Sequence, residues 1–378
     1  MDLESNMNTI KLILVAGARP NFMKIKPVMK EIEIFNSLKN PGAPTIQALL
    51  VHTGQHYDDN MSEVFFQELG IRPPDINLGA GSGSHAVQTA NIMMAFETVC
   101  EREKPDWVVV VGDVNSTMAC TLVCSKMGIR VAHIEAGLRS FDRTMPEEIN
   151  RLVTDALADL LLTPSEDANK NLLREGVTGD KIKLVGNIMI DSLMENLPKS
   201  RSSDILSHLG LEPGKFIYVT LHRPANVDRQ DHLSTIMAGL EHLSKRLPVV
   251  FPIHPRSRKM LNKYALTSRS NDRLMWLEPI GYHASLRLTE DARLVLTDSG
   301  GLQEEATFFR TPCLTLRPNT ERPITVTVGS NRLTSLERLM DDLEEALHGP
   351  ERKGIVPPLW DGHTAERVLH HILEASSA

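Results

Sequence analysis

Cysteine is scarce in this 378-residue chain: the four present, Cys100, Cys120, Cys124 and Cys313, form no CxxC pair. That spacing offers no metal knuckle and no redox motif. Two of them sit one turn apart in the apolar, helix-like "CTLVC", where reduced packing residues belong. No run approaches the ~20 apolar residues of a membrane helix. The opening "MDLESNMNTI" is acidic and lacks the basic start and apolar stretch of a signal peptide, so a cytoplasmic protein is expected. Basic residues are outnumbered, 41 Lys and Arg against 48 Asp and Glu, for a net charge of −7. This argues against broad binding to nucleic acid or membranes and leaves room for a local basic pocket that takes a phosphorylated ligand. Aromatics make up only 4%, in a composition 41% hydrophobic and 24% charged. Such a balance describes a globular protein without a large disordered segment.

What is present is alternation. The length suggests two domains of ~100–200 residues each. Short apolar runs, "IKLILVAG" (10–17), "TIQALLVHTG" (45–54), "DWVVVVGD" (106–113), "IRVAHIEAG" (129–137), "LADLLLTPS" (157–165) and "KIKLVGN" (181–187), are separated by helical stretches. This pattern predicts a parallel sheet covered on both faces. After a polar pause at 196–216 it restarts with "FIYVTLH", "LPVVFPIHP", "RLMWLEPIG", "ARLVLTDSGG" and "TPCLTLRP". The expected fold is therefore α/β, two Rossmann-like doubly wound domains facing a central cleft. Their bounds are 1–190 and 191–360, with a final amphipathic helix in 361–378 packing back on the first domain. In such sheets ligands sit beyond the carboxyl ends of strands, which makes residues just after strands the informative ones.

Those positions are charged. "GARPNFMK" puts Arg19 and Lys24 at a helix start, where free N–H groups favour anions. It is not GxGxxG, so a dinucleotide fingerprint is absent. Asp113 ends the most apolar strand, either as a cap for the helix near Asn115 or as a working carboxylate. Glu135 ends the neighbouring strand in the same way. In "MPEEINR", Pro146 places Glu147 and Glu148 in a first helical turn, where acids favour the dipole. Glu148 divides evenly between helix stabiliser and active group. In the second half His222 and Arg223 follow one strand, and His254 and Arg256 another, pointing toward an anion site. "LTDSGGLQEEA" adds Ser299, Gly300 and Gly301, which allow close backbone approach at a helix N-terminus. Glu304 and Glu305 are candidates for ribose hydroxyls. Arg322 in "NTERP" would serve a diphosphate or Glu305.

Seven stretches taken in order, "GARPNFMKIKPV", "VHTGQHYD", "VVGDVNST", "HIEAGLRSFDRTMPEEINR", "TLHRP", "LTDSGGLQEEA" and "NTERP", resemble the motifs of the non-hydrolysing UDP-N-acetylglucosamine 2-epimerase family, whose architecture is of the glycosyltransferase-B type. The resemblance covers essentially the whole chain. It implies inversion at C2 of UDP-GlcNAc to give UDP-ManNAc, by anti elimination of UDP through a 2-acetamidoglucal and re-addition. It implies a homodimer, a UDP-sugar substrate, and no cofactor or metal. By position, Asp113, Glu135 and Glu147 match the family's catalytic carboxylates, and His222 its active-site histidine near the diphosphate. Arg19, Lys24, Ser299, Gly300, Gly301, Glu305 and Arg322 match UDP-sugar contacts. Gln55, Arg223 and His254 match an allosteric UDP-GlcNAc subsite, with Asp58 where the bacterial pattern has glutamine. Further departures are a shorter segment between Glu135 and Glu147, "HRPAN" where the bacterial members carry an extra arginine and a glutamate, and Ile280 and Ser285 where a glutamine and an aromatic lie near uracil.

Four other readings compete. They are the same chemistry on another UDP-sugar such as a 2,3-diacetamido uronate, a hydrolysing relative that releases ManNAc and UDP, a glycosyltransferase on the same architecture, and a non-catalytic nucleotide-sugar sensor. Three carboxylates in the first half favour proton chemistry over the last two, because removing the weakly acidic C2 proton needs positioned bases.

Overall fold

The computed structural model describes residues 9–38, 42–54, 70–266, 272–348 and 354–377. They divide into two compact units, residues 1–192 with 359–378, and residues 193–358.

The first unit runs β1 (Thr9–Ala16), α1 (Arg19–Ser37), β2 (Thr45–His52), β3 (Ile76–Asn77), α2 (His85–Glu103), β4 (Trp107–Val111), α3 (Asn115–Met127), β5 (Arg130–Ile134), α4 (Pro146–Leu157), β6 (Leu160–Thr163), α5 (Glu166–Arg174), β7 (Ile182–Leu184) and the start of α6 (Ile188–Arg201), a helix that continues past residue 192 into the second unit. Its seven strands lie in the order β3-β2-β1-β4-β5-β6-β7, every pair parallel. The reason is visible in the strand sequences. β4 is WVVVV, buried at every position, as a strand covered on both faces must be. The helices present apolar stripes to it: α2 buries Ile92, Phe96, Val99 and Cys100, which pack with Val108, Val110 and Ala119 in one core. Ser84 caps α2 by accepting the Val87 N–H, and Lys104 ends it at φ 47°. All four cysteines are free and buried, as the packing reading expects.

The second unit has α7 (Ile205–His208), β8 (Ile217–Thr220), α8 (Pro224–Val227), α9 (Gln230–Ser244), β9 (Val249–Pro252), α10 (Pro255–Lys263), β10 (Leu274–Leu277), α11 (Tyr282–Asp291), β11 (Leu294–Thr297), α12 (Gly300–Phe309), β12 (Cys313–Leu316), α13 (Ile324–Thr327), β13 (Asn331–Thr334) and α14 (Leu339–His348). Its six strands, also all parallel, take the order β10-β9-β8-β11-β12-β13. Both units are thus doubly wound, with the strand order switching between β1 and β4 in one and between β8 and β11 in the other. The last helix, α15 (Thr364–Ser377), belongs to the first unit and packs on α1. Asp191 accepts the Ala365 N–H at 2.8 Å, and Ser376 accepts the Trp107 indole N–H at 2.9 Å.

Two strands lie outside the sequence expectation: β3 has only two residues, and β13 reads NRLT, which carries no apolar run. α1 begins at Arg19, with Pro20 in its first turn, where a missing N–H costs nothing. Among the described residues, no helix is long and apolar enough to cross a membrane.

Candidate active site

The loops after β1, β4 and β5 meet at the switch point of the first sheet. Asn21 ties two of them together: its Oδ1 accepts the N–H groups of Gly17 and Ala18, and its Nδ2 donates to the Val111 carbonyl at 3.1 Å. Lys24, from the second turn of α1, forms a buried ion pair with Glu135, Nζ to Oε2 at 2.6 Å. Glu135 stands one residue beyond β5 with φ 71°, a left-handed conformation that costs a residue with a side chain about 1–2 kcal/mol. Its other oxygen, Oε1, is buried and accepts no hydrogen bond from the described residues. Gly112, at φ 70°, makes the approach possible: a Cβ there would lie 3.3 Å from Lys24 Nζ and 3.6 Å from Glu135 Oε2.

Asp113 does not cap α3. The N-cap is Val114, without a side-chain bond, and the Asp113 carboxylate instead takes the Arg151 guanidinium of α4. The capping expectation fails because Arg151, buried and two turns from Glu135's loop, needs anionic partners. Glu148 is its second partner, at 2.6 Å. Glu148 also accepts the N–H groups of Ser140 and Phe141, each at 2.9 Å. Burial would raise its pKa, but the two amides and Arg151 hold it below the ordinary carboxylate value. Glu148 therefore folds the 138–145 loop, while its neighbour Glu147 is exposed in the first turn of α4.

Sequence reasoning overlooked the support beneath these groups, because it lies inside an apolar strand. His133, fully buried in β5, faces two acceptors: the Asp155 carboxylate at 2.6 Å from Nδ1, and the Gly112 carbonyl at 2.9 Å from Nε2. Asp155 also takes Arg139 at 2.6 Å and the Gly137 N–H at 3.0 Å. Burial raises its pKa and the charges of His133 and Arg139 more than reverse that. This network joins the loops that follow β4 and β5 to α4, the three places that carry Asp113, Glu135 and Glu147.

In the second unit, His222 and Arg223 follow β8, and Asp298 and Ser299 follow β11. The buried Asp298 accepts the N–H groups of His222 and Arg223 and the Asn226 amide, at 2.9–3.1 Å. It also meets His222 Nδ1 at 3.0 Å. His254 caps α10, its Nδ1 accepting the Arg256 N–H, and its ring lies 5.5 Å from that of His222. Gly300 opens α12 against Arg322, whose Nη1 would be 3.0 Å from a Cβ at that position, whereas Gly301 faces open space. Arg322 meets Glu304 at 2.8 Å and Glu321 at 2.5 Å; the carboxylate it joins on α12 is Glu304, not Glu305. Glu305 is buried near Tyr282, and burial together with the charge of Glu304 pushes its pKa up to about 8. A carboxyl that keeps its proton near neutrality can donate one hydrogen bond and accept others. Ile280 packs on the apolar core, and Ser285 shares a 2.8 Å hydrogen bond with Tyr218. Gln55, Asp58 and the side chain of Arg19 lie outside the described residues.

Two doubly wound units, each with charged groups at its switch-point loops, define the glycosyltransferase-B class of α/β architecture. Within it, the chain belongs to the UDP-N-acetylglucosamine 2-epimerase family, whose model matches residues 39–373, and which is a family of isomerases. A UDP-N-acetylglucosamine 2-epimerase of Methanococcus maripaludis is 40% identical over 95% of this chain and 97% of its own. The crystal structure of the Methanocaldococcus jannaschii UDP-GlcNAc 2-epimerase in complex with UDP-GlcNAc and UDP superposes with a TM-score of 0.84 at 40% identity, covering 97% of this chain and all of that one. A UDP-2,3-diacetamido-2,3-dideoxy-D-glucuronate 2-epimerase of Pseudomonas aeruginosa is 41% identical over 88% of this chain and 90% of its own.

Proposed function

We propose that this protein is a non-hydrolysing UDP-GlcNAc 2-epimerase that interconverts UDP-GlcNAc and UDP-ManNAc. The observation that carries the reading is Glu135: a buried carboxylate at a strand end, held by Lys24 through one oxygen while the other accepts nothing from the described residues. A base for a weakly acidic C–H needs such an oxygen, fixed in place and shielded from water. Asp113, Glu135 and Glu147 supply the proton chemistry of the first unit, with Lys24 and Arg19 on the sugar-phosphate. One carboxylate takes the C2 proton as the C1–O bond to UDP breaks, a proton returns to the opposite face of C2, and UDP adds back to C1. No electron changes hands, so the route calls for no redox cofactor.

The second unit holds the nucleotide. Ser299, Gly300 and Gly301 offer N–H groups at the start of α12 to the diphosphate, beside Arg322 and His222. Glu305, with its proton, is suited to the ribose hydroxyls. Arg223 and His254 are the described residues of a regulatory UDP-GlcNAc subsite. We assign the protein a homodimeric state through the face of α2, α3 and α4, where His85, Ala90, Met93, Met118 and Ile149 line an apolar groove of about 540 Å³.

The test is proton NMR of the purified protein with UDP-GlcNAc in deuterium oxide. Deuterium at C2 of both UDP-GlcNAc and UDP-ManNAc is expected. Free ManNAc with UDP would assign a hydrolase instead. A second substrate reading is favoured by the Pseudomonas relative: no exchange with UDP-GlcNAc, and exchange with the 2,3-diacetamido uronate, would transfer the same chemistry to that sugar.

A further inference from the structure

Asp298 has no substrate role in the reading above, yet it is among the most constrained carboxylates in the chain. It is fully buried at the end of β11 and faces four donors: the backbone N–H groups of residues 222 and 223, the Asn226 amide, and His222 Nδ1. A carboxylate offers about four lone-pair sites, so its capacity is filled. The first three contacts suffice to fold the loop after β8. The fourth is different in kind, because it fixes a titratable ring whose side chain is 40% accessible.

We propose that Asp298 is a positioning residue for His222: it takes the Nδ1 proton, turns Nε2 to the accessible side, and keeps the ring a hydrogen-bond donor toward the departing diphosphate. The inference rests on the epimerase reading for its substrate and on geometry for the rest. An Nδ1 lone pair against a buried carboxylate would be repelled, so Nδ1 carries the proton in either charge state. Asp298 also stabilises the imidazolium, in which Nε2–H donates as charge develops on the leaving phosphate oxygen. His254 cannot take over. Its Nδ1 is already an acceptor for the Arg256 N–H, and burial followed by the charge of His222 holds its pKa below the ordinary histidine value. Among the charged neighbours, Arg223 lies on the same loop and Arg256 is paired with Asp228 at 2.6 Å. That leaves Asp298 as the anion that His222 meets in this unit among the described residues.

A double-mutant cycle tests the assignment. Asp298→Asn in the wild-type background is expected to lower kcat about 100-fold, within the range of lost acid–base function, with KM changed less than about threefold, as for an interaction made only in the transition state. In a His222→Gln background the same change is expected to alter kcat less than twofold, since residues that act through one another are not additive. Full multiplication of the two losses, or a loss carried by KM instead of kcat, overturns the proposal. Should Asp298→Asn fail to fold, nitrogen-15 NMR of histidine-labelled wild-type protein decides, with the resonance assigned through His222→Gln. Nδ1 protonated throughout the titration is expected, and a neutral ring protonated on Nε2 overturns it. This measurement needs no substrate, so its failure is distinct from failure of the deuterium exchange that tests the epimerase reading.

Discussion

Glu147 and Glu148 are neighbours in sequence with opposite surroundings, and substitution separates them. Glu148→Ala removes the acceptor for the buried Ser140 amide and the partly buried Phe141 amide and leaves Arg151 short of an anion, a loss of about 3 kcal/mol or more. Glu147→Gln changes an exposed side chain, which moves stability by about 0.5 kcal/mol or less, while the proposed acid–base role predicts at least a 100-fold fall in turnover. Thermal melts beside the deuterium-exchange assay check both; equal effects on melting temperature would show that the division is misplaced. The sequence alone split the odds evenly for Glu148, because both acids suit a first helical turn. What decides is a loop 7 and 8 residues upstream whose N–H groups turn toward it, and no local pattern announces that. Lys24 and Glu135 were each legible at a strand end or helix start, but their pairing spans 111 residues and only the sheet order brings it about. His133 and Asp298 were hidden for different reasons. His133 sits in an apolar strand, and Asp298 sits beside a glycine turn whose ligand signature is in its backbone N–H groups and not in the carboxylate.

At the scale of elements, the turn after β4 shows why strand ends were readable and their geometry was not. A continuous run such as WVVVV marks its own carboxyl end, so the position of Asp113 followed from the hydrophobic pattern. The turn itself depends on Gly112 in a left-handed conformation against Lys24. Gly112→Ala would add about 1–2 kcal/mol of backbone strain and put a methyl 3.3 Å from Lys24 Nζ and 3.6 Å from Glu135 Oε2, so both ends of the ion pair must shift to make room. Activity is therefore expected to fall by at least tenfold, more than a melting temperature lowered by several degrees would account for at assay temperature. Activity and stability measured on the same preparation test this, and an unchanged turnover would mean that the pair does not depend on the turn. The short strands β3 and β13 were illegible for the converse reason, since neither has the apolar run that the pattern requires.

For the whole molecule, length and the alternation of apolar runs pointed to a two-unit α/β chain, and neither bears on self-association. The face of α2, α3 and α4 does, because Ile149 is 41% exposed there, in the wall of a groove whose lining also includes Ala90, Met93 and Met118. Exposed apolar area of that kind marks an interaction surface, and a second copy is the occupant the epimerase reading supplies. The groove also reaches Asn115 and Asn150, and Asn150 donates to the Asp113 carbonyl at 2.8 Å. Covering the groove would thus shield a hydrogen bond to the backbone of a proposed catalytic residue. Ala90 is exposed in the groove wall, so Ala90→Arg should leave the folded chain intact while placing a charge where a partner would pack. Sedimentation equilibrium at tens of micromolar is expected to give twice 42.1 kDa for the native protein and the single mass for the variant, with turnover lowered several-fold. A native protein that sediments at the single mass removes the dimer, and a monomeric variant with full turnover would separate association from catalysis.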